Sequence, residues 1–225
     1  MMPSNQFKVT ASECGKAVRY SAGEEIANTV THAIGAGLSI IAVVALLLHG
    51  KAFNDGWRMA GFSVFGASLC ALYLASTIYH AVTDEKLKGY CRMIDHSSIF
   101  LLIAGTYTPV LLIAMRGPWG WTLLALIWTM AAGGLVYELF FLGRHKWISL
   151  AIYAGMGWLA IIAIRPMLVM LPDGLLQWIV LGGLAYTAGI GFYVWHNLPY
   201  HHAIWHLFVL GGSSLHFTGM LLHLT

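Results

Sequence analysis

The chain has 225 residues, 59% of them hydrophobic and 9% charged, with 12 basic against 9 acidic residues and a net charge of +3. Soluble domains carry about 25% charged residues, so this composition cannot clothe a water-soluble globule. With a mean hydropathy of +0.74 it marks an integral membrane protein, and so small a charge balance gives no basis for a nucleic-acid partner.

Residues 1–22 read as a polar lead, short amphipathic or disordered, ahead of one membrane domain over 23–225. Seven apolar segments follow, over 26–48, 57–79, 93–115, 119–142, 147–164, 175–195 and 202–224. Runs of about 20 residues are helical spans and not the ten-residue alternating strands of a barrel. The expected fold is therefore all-α, a seven-transmembrane helical bundle. The first run starts too late and is too long for a cleaved signal peptide, so it reads as a retained helix. The breaks GKAFNDG, AVTDEKLKGYCR, RGP, GRHK, RPMLVMLPDG and HNLPYH carry turn or charge signals. Arg165 and Pro166 end the fifth span early. Trp57, Trp119, Trp147 and Trp178 stand near segment ends, as an aromatic belt does. Cys14, Cys70 and Cys91 form no CxxC pair, and no disulfide is expected.

Basic residues orient the bundle. Lys8, Lys16, Arg19, Lys86, Lys88, Arg92, Arg144 and Lys146 share the N-terminal side, against Lys51, Arg58, Arg116 and Arg165 opposite. The positive-inside rule then places the N-terminus in the cytoplasm and the C-terminus outside.

This arrangement brings the polar residues to one depth. His80 ends the second span, Asp95 begins the third, and His202 and His206 begin the seventh. An odd-numbered span starts on the side where an even-numbered one ends, so all four lie in the cytoplasmic third. Ionisable groups at membrane depth are expensive and mark sites. His202 and His206 are spaced i, i+4, with rings on one face about 6 Å apart; they read as metal ligands or as interfacial histidines. Ser76 and His80 repeat that spacing, and the serine either orients the imidazole or packs a helix crossing. Asp95 reads as a metal ligand, a partner of metal-bound water, a general base, or an ion-pair partner of Arg92. His96 points about 100° away and is secondary. Glu25, Asn28 and His32 share one stripe at the same depth, as a cap with polar helix contacts or as part of the site. Glu138 approaches the same region from the fourth span. His145, His196, His201, His216 and His223 have no comparable partners, and His216 lies about 15 Å beyond His206, too deep for the same ion.

The stretches EEIANTVTHAIG, ASTIYHAV, DHSSIFLLIAGTYTP, AGMGW and YHHAIWHLFVLGGSSLHF together resemble the progestin and adipoQ receptor superfamily, in its bacterial haemolysin III-like branch. The resemblance covers residues 23–217. Its Glu-x2-Asn-x3-His pattern fits Glu25, Asn28 and His32, its Ser-x3-His fits Ser76 and His80, its third-span Asp fits Asp95, and its His-x3-His fits His202 and His206. The resemblance implies a seven-helix protein of the bacterial inner membrane. It also implies zinc held by His80, His202 and His206, with Asp95 on a zinc-bound water. Superfamily relatives include alkaline ceramidases, and bacterial members are linked to membrane fluidity. The leading expectation is a zinc-dependent hydrolase of a lipid amide or ester, with Asp95 and Ser76 catalytic and a membrane lipid as substrate. Its alternative is a membrane-state sensor or receptor with a structural zinc. A pore or cytolytic protein fits least, since the polar residues cluster at one depth and line no path across. Oligomeric state and substrate identity do not follow from the residues.

Overall fold

The computed structural model describes residues 20–141 and 146–224. Most of the expected polar lead lies outside these residues, with Lys8, Cys14, Lys16, Arg19, Arg144 and His145. The described residues are helical throughout their regular structure, with no strand.

Helix α1 (Ala22–Lys51) opens on a capping box in which Ser21 Oγ accepts from Glu24 N at 3.3 Å and Glu24 Oε2 accepts from Ser21 N at 2.9 Å. Glu24 therefore does the capping, and Glu25 is free for other contacts. Helix α2 (Gly56–Ala81) runs far enough to hold His80 in its last turn. Helix α3 (Glu85–Pro109) begins eight residues before the expected 93. Asp84 caps it, its Oδ1 accepting from Leu87 N at 2.8 Å, so much of the supposed polar break is helix. At its far end Pro109 lacks an amide donor, and the chain continues through a π-helical turn, Val110–Ala114, in which Met115 N reaches Val110 O at 3.1 Å.

Helix α4 (Pro118–Phe141) returns. The fifth segment differs from expectation. It consists of α5 (Lys146–Gly157), a 3-10 stretch (Leu159–Ala163) and α6 (Ile164–Met170). Arg165 and Pro166 do not end it, because Pro166 sits in the first turn of α6, where its missing amide has no intrahelical partner to lose. Helix α7 spans Leu175–Val194, and α8 spans His201–His223 after Tyr200, whose φ is 58°.

Among the described residues, six segments are long and apolar enough to cross a membrane: Ala22–Lys51, Gly56–Ala81, Glu85–Ala114, Pro118–Phe141, Trp147–Met170 and Leu175–Val194. The chain is a multi-pass membrane protein. Its exposure pattern is the inverse of a soluble domain's. Ile41, Leu168 and Val169 are exposed, whereas Asn28, Asp95, His202 and His206 are buried.

In the bundle α1 packs on α2 and α8, α2 on α3, α3 on α4, and α7 on α8, while α5 leans on α3 and α4. The α1–α2 approach is close. A Cβ on Gly35 would stand 2.5 Å from the Tyr73 ring, so only glycine lets the two backbones bring His32 and His80 together. Phe62, Phe65, Leu69 and Leu72 of α2 pack with Val209 and Met220 of α8 in one core, and Phe100, Ile127 and Met156 form another between α3, α4 and α5.

Candidate metal centre and adjoining cavity

His80, His202 and His206 converge from α2 and α8, each offering a ring nitrogen within 4.8 Å of the others. All three are buried. A tetrahedral zinc with bonds of about 2.0–2.1 Å separates its nitrogens by roughly 3.4 Å, so the trio has the right composition and nearly the right closeness.

The surroundings of the rings bear on whether an ion fits. Glu25 Oε2 stands 2.7 Å from His80 Nδ1, and its other oxygen receives Lys88 Nζ at 2.9 Å. His80 Nε2 has no partner although buried. A carboxylate that accepts from one nitrogen and leaves the other bare is the arrangement that orients metal-ligating histidines. His206 Nδ1 meets Thr31 Oγ1 at 3.0 Å and the Asn28 carbonyl oxygen at 3.2 Å. His202 Nδ1 is buried with no hydrogen-bond partner. Unpaired buried polar atoms are costly, and a cation among these nitrogens would satisfy them. The residues fit a metal.

The other expected residues gather here too. Asn28 Nδ2 lies 3.4 Å from His80 Nδ1. His32 stacks on His206 with centroids 3.5 Å apart and planes 15° from parallel, and both its nitrogens lack partners. Asp95 stands outside the trio but lines the same cavity as Ser76, His202 and His206. Ser76 Oγ is buried next to the Asp95 carboxyl group. His96, next in sequence to Asp95, also lines the cavity, since a long space admits side chains about 100° apart on one helix. Glu138 is buried and accepts from Ser149 between α4 and α5, apart from the trio. Cys70 and Cys91 are free.

Three contributors were not anticipated. Thr31 is three residues beyond Asn28, an offset that would have flagged it. Lys88 lay in a presumed loop. Tyr20 lay in the presumed lead, yet its ring comes within 5.1 Å of His202 and 5.9 Å of His80, centroid to centroid. Outside the membrane-spanning segments, burial and nearby acidic groups raise the Tyr20 hydroxyl well above the usual phenol range, so it stays protonated.

The cavity measures about 210 Å³ and is lined chiefly by aliphatic and aromatic side chains. On α3 its lining runs from Asp95 to Met115, beyond the π turn, a path of roughly 30 Å at 1.5 Å per residue. It lies between the α5–α6 segment and α7, across which Trp158 Nε1 donates to Thr187 Oγ1 at 3.0 Å. The break in the fifth segment is held from α3: the Tyr107 hydroxyl donates to the Gly157 carbonyl at 2.9 Å and accepts from Ala160 N at 3.0 Å.

Over residues 20–217 the sequence matches the family described as haemolysin-III related. It is 48% identical over 194 residues to hemolysin-3 of Bacillus cereus, covering 86% of this chain and 89% of that one. It is 46% identical over 194 residues to the hemolysin-3 homolog of Bacillus subtilis (strain 168), covering 86% and 91%. It is 33% identical over 200 residues to the monocyte to macrophage differentiation factor of Homo sapiens, covering 86% and 82%. No solved structure matches.

Proposed function

We propose that this chain, which belongs to the haemolysin-III-related family, is a zinc-dependent hydrolase of a lipid amide or ester in the bacterial inner membrane. The observation that carries the reading is the junction of two features. A buried three-histidine group, with one histidine oriented by Glu25, adjoins a long apolar cavity whose lining includes a carboxylate and a buried hydroxyl.

His80, His202 and His206 would hold the zinc. A zinc ion held by these three nitrogens would supply Lewis acidity to the reacting groups. Glu25 keeps the His80 ring in one orientation, and Lys88 anchors Glu25. Asp95 holds a carboxylate where it takes a proton from the attacking water and returns it to the leaving group. Ser76 Oγ donates to the scissile carbonyl oxygen as negative charge develops. The cavity holds the acyl chain and keeps bulk water out.

In this reading the protein crosses the membrane seven times, with its N-terminus in the cytoplasm. Helix α8 has 23 residues, about 34 Å at helical rise, which is enough to span. It falls short on hydropathy because it carries His201, His202, His206, His216 and His223, of which the first four are buried and so turned away from the surrounding bilayer. Reporter fusions at the C-terminus test this, and activity only in the cytoplasm overturns it.

The decisive experiment combines metal analysis of the purified protein with mass spectrometry of membrane lipids. Zinc near one equivalent, with lipid turnover lost in His202→Ala, is the expected result. Zinc present with identical lipid profiles in wild type and variants supports the sensor reading, in which the ion staples α2 to α8. Full zinc content in a variant lacking all three histidines overturns the site.

A further inference from the structure

Ten residues beyond His206, α8 carries His216. It is 8% exposed and lines the same cavity. Its ring stacks on Tyr186, centroids 5.7 Å apart and planes 22° from parallel. Among the described residues neither of its nitrogens makes a hydrogen bond. The sequence makes room for the ring: a Cβ on Gly182 would fall 2.5 Å from His216 Nε2, so only glycine on α7 allows the imidazole to sit there.

The other polar groups around this part of the cavity are already occupied. Tyr186 and Tyr73 both meet Ser213 Oγ, at 2.9 and 2.8 Å. Thr106 Oγ1 donates to the Leu102 carbonyl at 2.7 Å and Thr187 Oγ1 to the Gly183 carbonyl at 2.7 Å. The Tyr107 hydroxyl and the Trp158 indole are used in tying down the fifth segment. His216 is left as an imidazole whose Nε2 edge packs against Gly182 and which otherwise lines an apolar space. Burying a polar ring without a partner is unfavourable, and an apolar side chain of similar size would line an aliphatic tunnel at lower cost. A group held there in the absence of protein partners is matched to something carried into the cavity.

We propose that His216 is a second ligand-contacting residue, which hydrogen-bonds an oxygen borne on the acyl chain of the bound lipid. This rests on the reading of the cavity as a lipid site and deepens it by naming the substrate class: a chain oxygenated at a set distance from its head group. The distance follows from the helix. Ten residues of α8 separate His216 from His206, about 15 Å along the axis. An extended chain advances roughly 1.2 Å per bond, so the oxygen sits on about the twelfth carbon from a head group at the histidine trio. A hydroxyl fits the imidazole in either tautomer, since it both donates and accepts.

The test uses binding and does not depend on turnover. The full chain in nanodiscs is titrated with octadecanoate, 12-hydroxyoctadecanoate and 6-hydroxyoctadecanoate. The wild type is expected to bind the 12-hydroxy acid about fivefold to tenfold more tightly than octadecanoate, and the 6-hydroxy acid more weakly than either. In His216→Leu the 12-hydroxy preference disappears while octadecanoate binds as well or better. In His216→Gln, which keeps a donor and an acceptor, part of the preference remains. Equal affinity of the wild type for the three acids overturns the inference, as does a preference that survives His216→Leu. If His216→Leu does not fold, the comparison of the 6- and 12-hydroxy acids on the wild type decides alone. Failure of every acid to bind overturns the lipid reading of the cavity itself, which is a different result from equal binding.

Discussion

The two sides of the bundle are built differently. On one side α1, α2, α3 and α8 pack closely, and the apolar stretches of α2 and of the third segment are half or more buried, that of α1 a third. On the other side, the fifth segment and α7 each bury 17% of theirs and face one another across a cavity. The side chains that need fixed geometry all come from the first side: Glu25, Asn28 and His32 from α1, Ser76 and His80 from α2, Asp95 from α3, and His202 and His206 from α8. The second side contributes lining and one bridging hydrogen bond, Trp158 to Thr187. A metal shell tolerates little displacement, whereas a site for a lipid chain must open to admit it. Close packing around the histidines and an unpacked gap between the fifth segment and α7, which itself packs tightly on α8, meet both demands in one molecule.

If that division is right, the largest effects come from the packed side. Asp95→Asn keeps shape and hydrogen-bonding capacity but cannot act as a base. It should lower lipid hydrolysis by about 10²–10⁴-fold with zinc content unchanged, read by lipid mass spectrometry alongside metal analysis. Loss of zinc instead would make Asp95 a fourth ligand and the centre a structural one.

Next in size is the support of the ligands. Glu25→Gln leaves the three imidazoles in place but removes the carboxylate from His80 Nδ1. Zinc affinity should fall about 10–100-fold, measured by competition with a chelator. Lys88→Met, acting through Glu25 alone, should weaken affinity less. If the two variants behave like wild type, the packed side is not holding the metal site.

His202→Ala should lower thermal stability as well as metal content, since an ion bound only by the folded state stabilises it by an amount that grows with the logarithm of ligand excess over Kd. The unfolding midpoint of the wild type should therefore rise with added zinc, and that of the variant should not. A midpoint insensitive to zinc in both would separate metal binding from the stability of the α2–α8 contact.

The smallest effect belongs to the open side. Thr187→Val removes the acceptor for the Trp158 indole, a single half-exposed hydrogen bond worth about 0.5–1.5 kcal/mol. Exchange of a fluorescent fatty acid should become a few-fold faster while zinc content is unchanged. A change in zinc content would show that the two sides are coupled and that the division is too sharp.

The helical spans, apart from their ends, and the candidate ligands are legible in the residues alone. Long apolar runs in a chain with few charges can only be membrane helices, and the period of the helix places Glu25 with Asn28 and His32, Ser76 with His80, and His202 with His206. The alternation of direction along the chain then brings those stripes to one end of the bundle, which is why residues 52 positions apart, Asn28 and His80, could be expected as neighbours. What the sequence left open depended on which helices touch. Ser21-x-x-Glu24 has the capping-box spacing, which leaves Glu25 unassigned, and only the position of His80 decides that Glu25 turns inward. Lys88 and Tyr20 read as loop and lead because hydropathy is a property of a segment, whereas their roles come from one contact each. Arg165 and Pro166 looked like a terminus because a proline breaks a helix only when its amide is needed, and that depends on where the turn of α6 begins. The cavity, and with it the shared exposure of Asp95, His96 and His216 to one space, is the volume that packing leaves between the fifth segment and α7. Empty volume has no residue of its own in the chain, so only the tertiary structure could decide it.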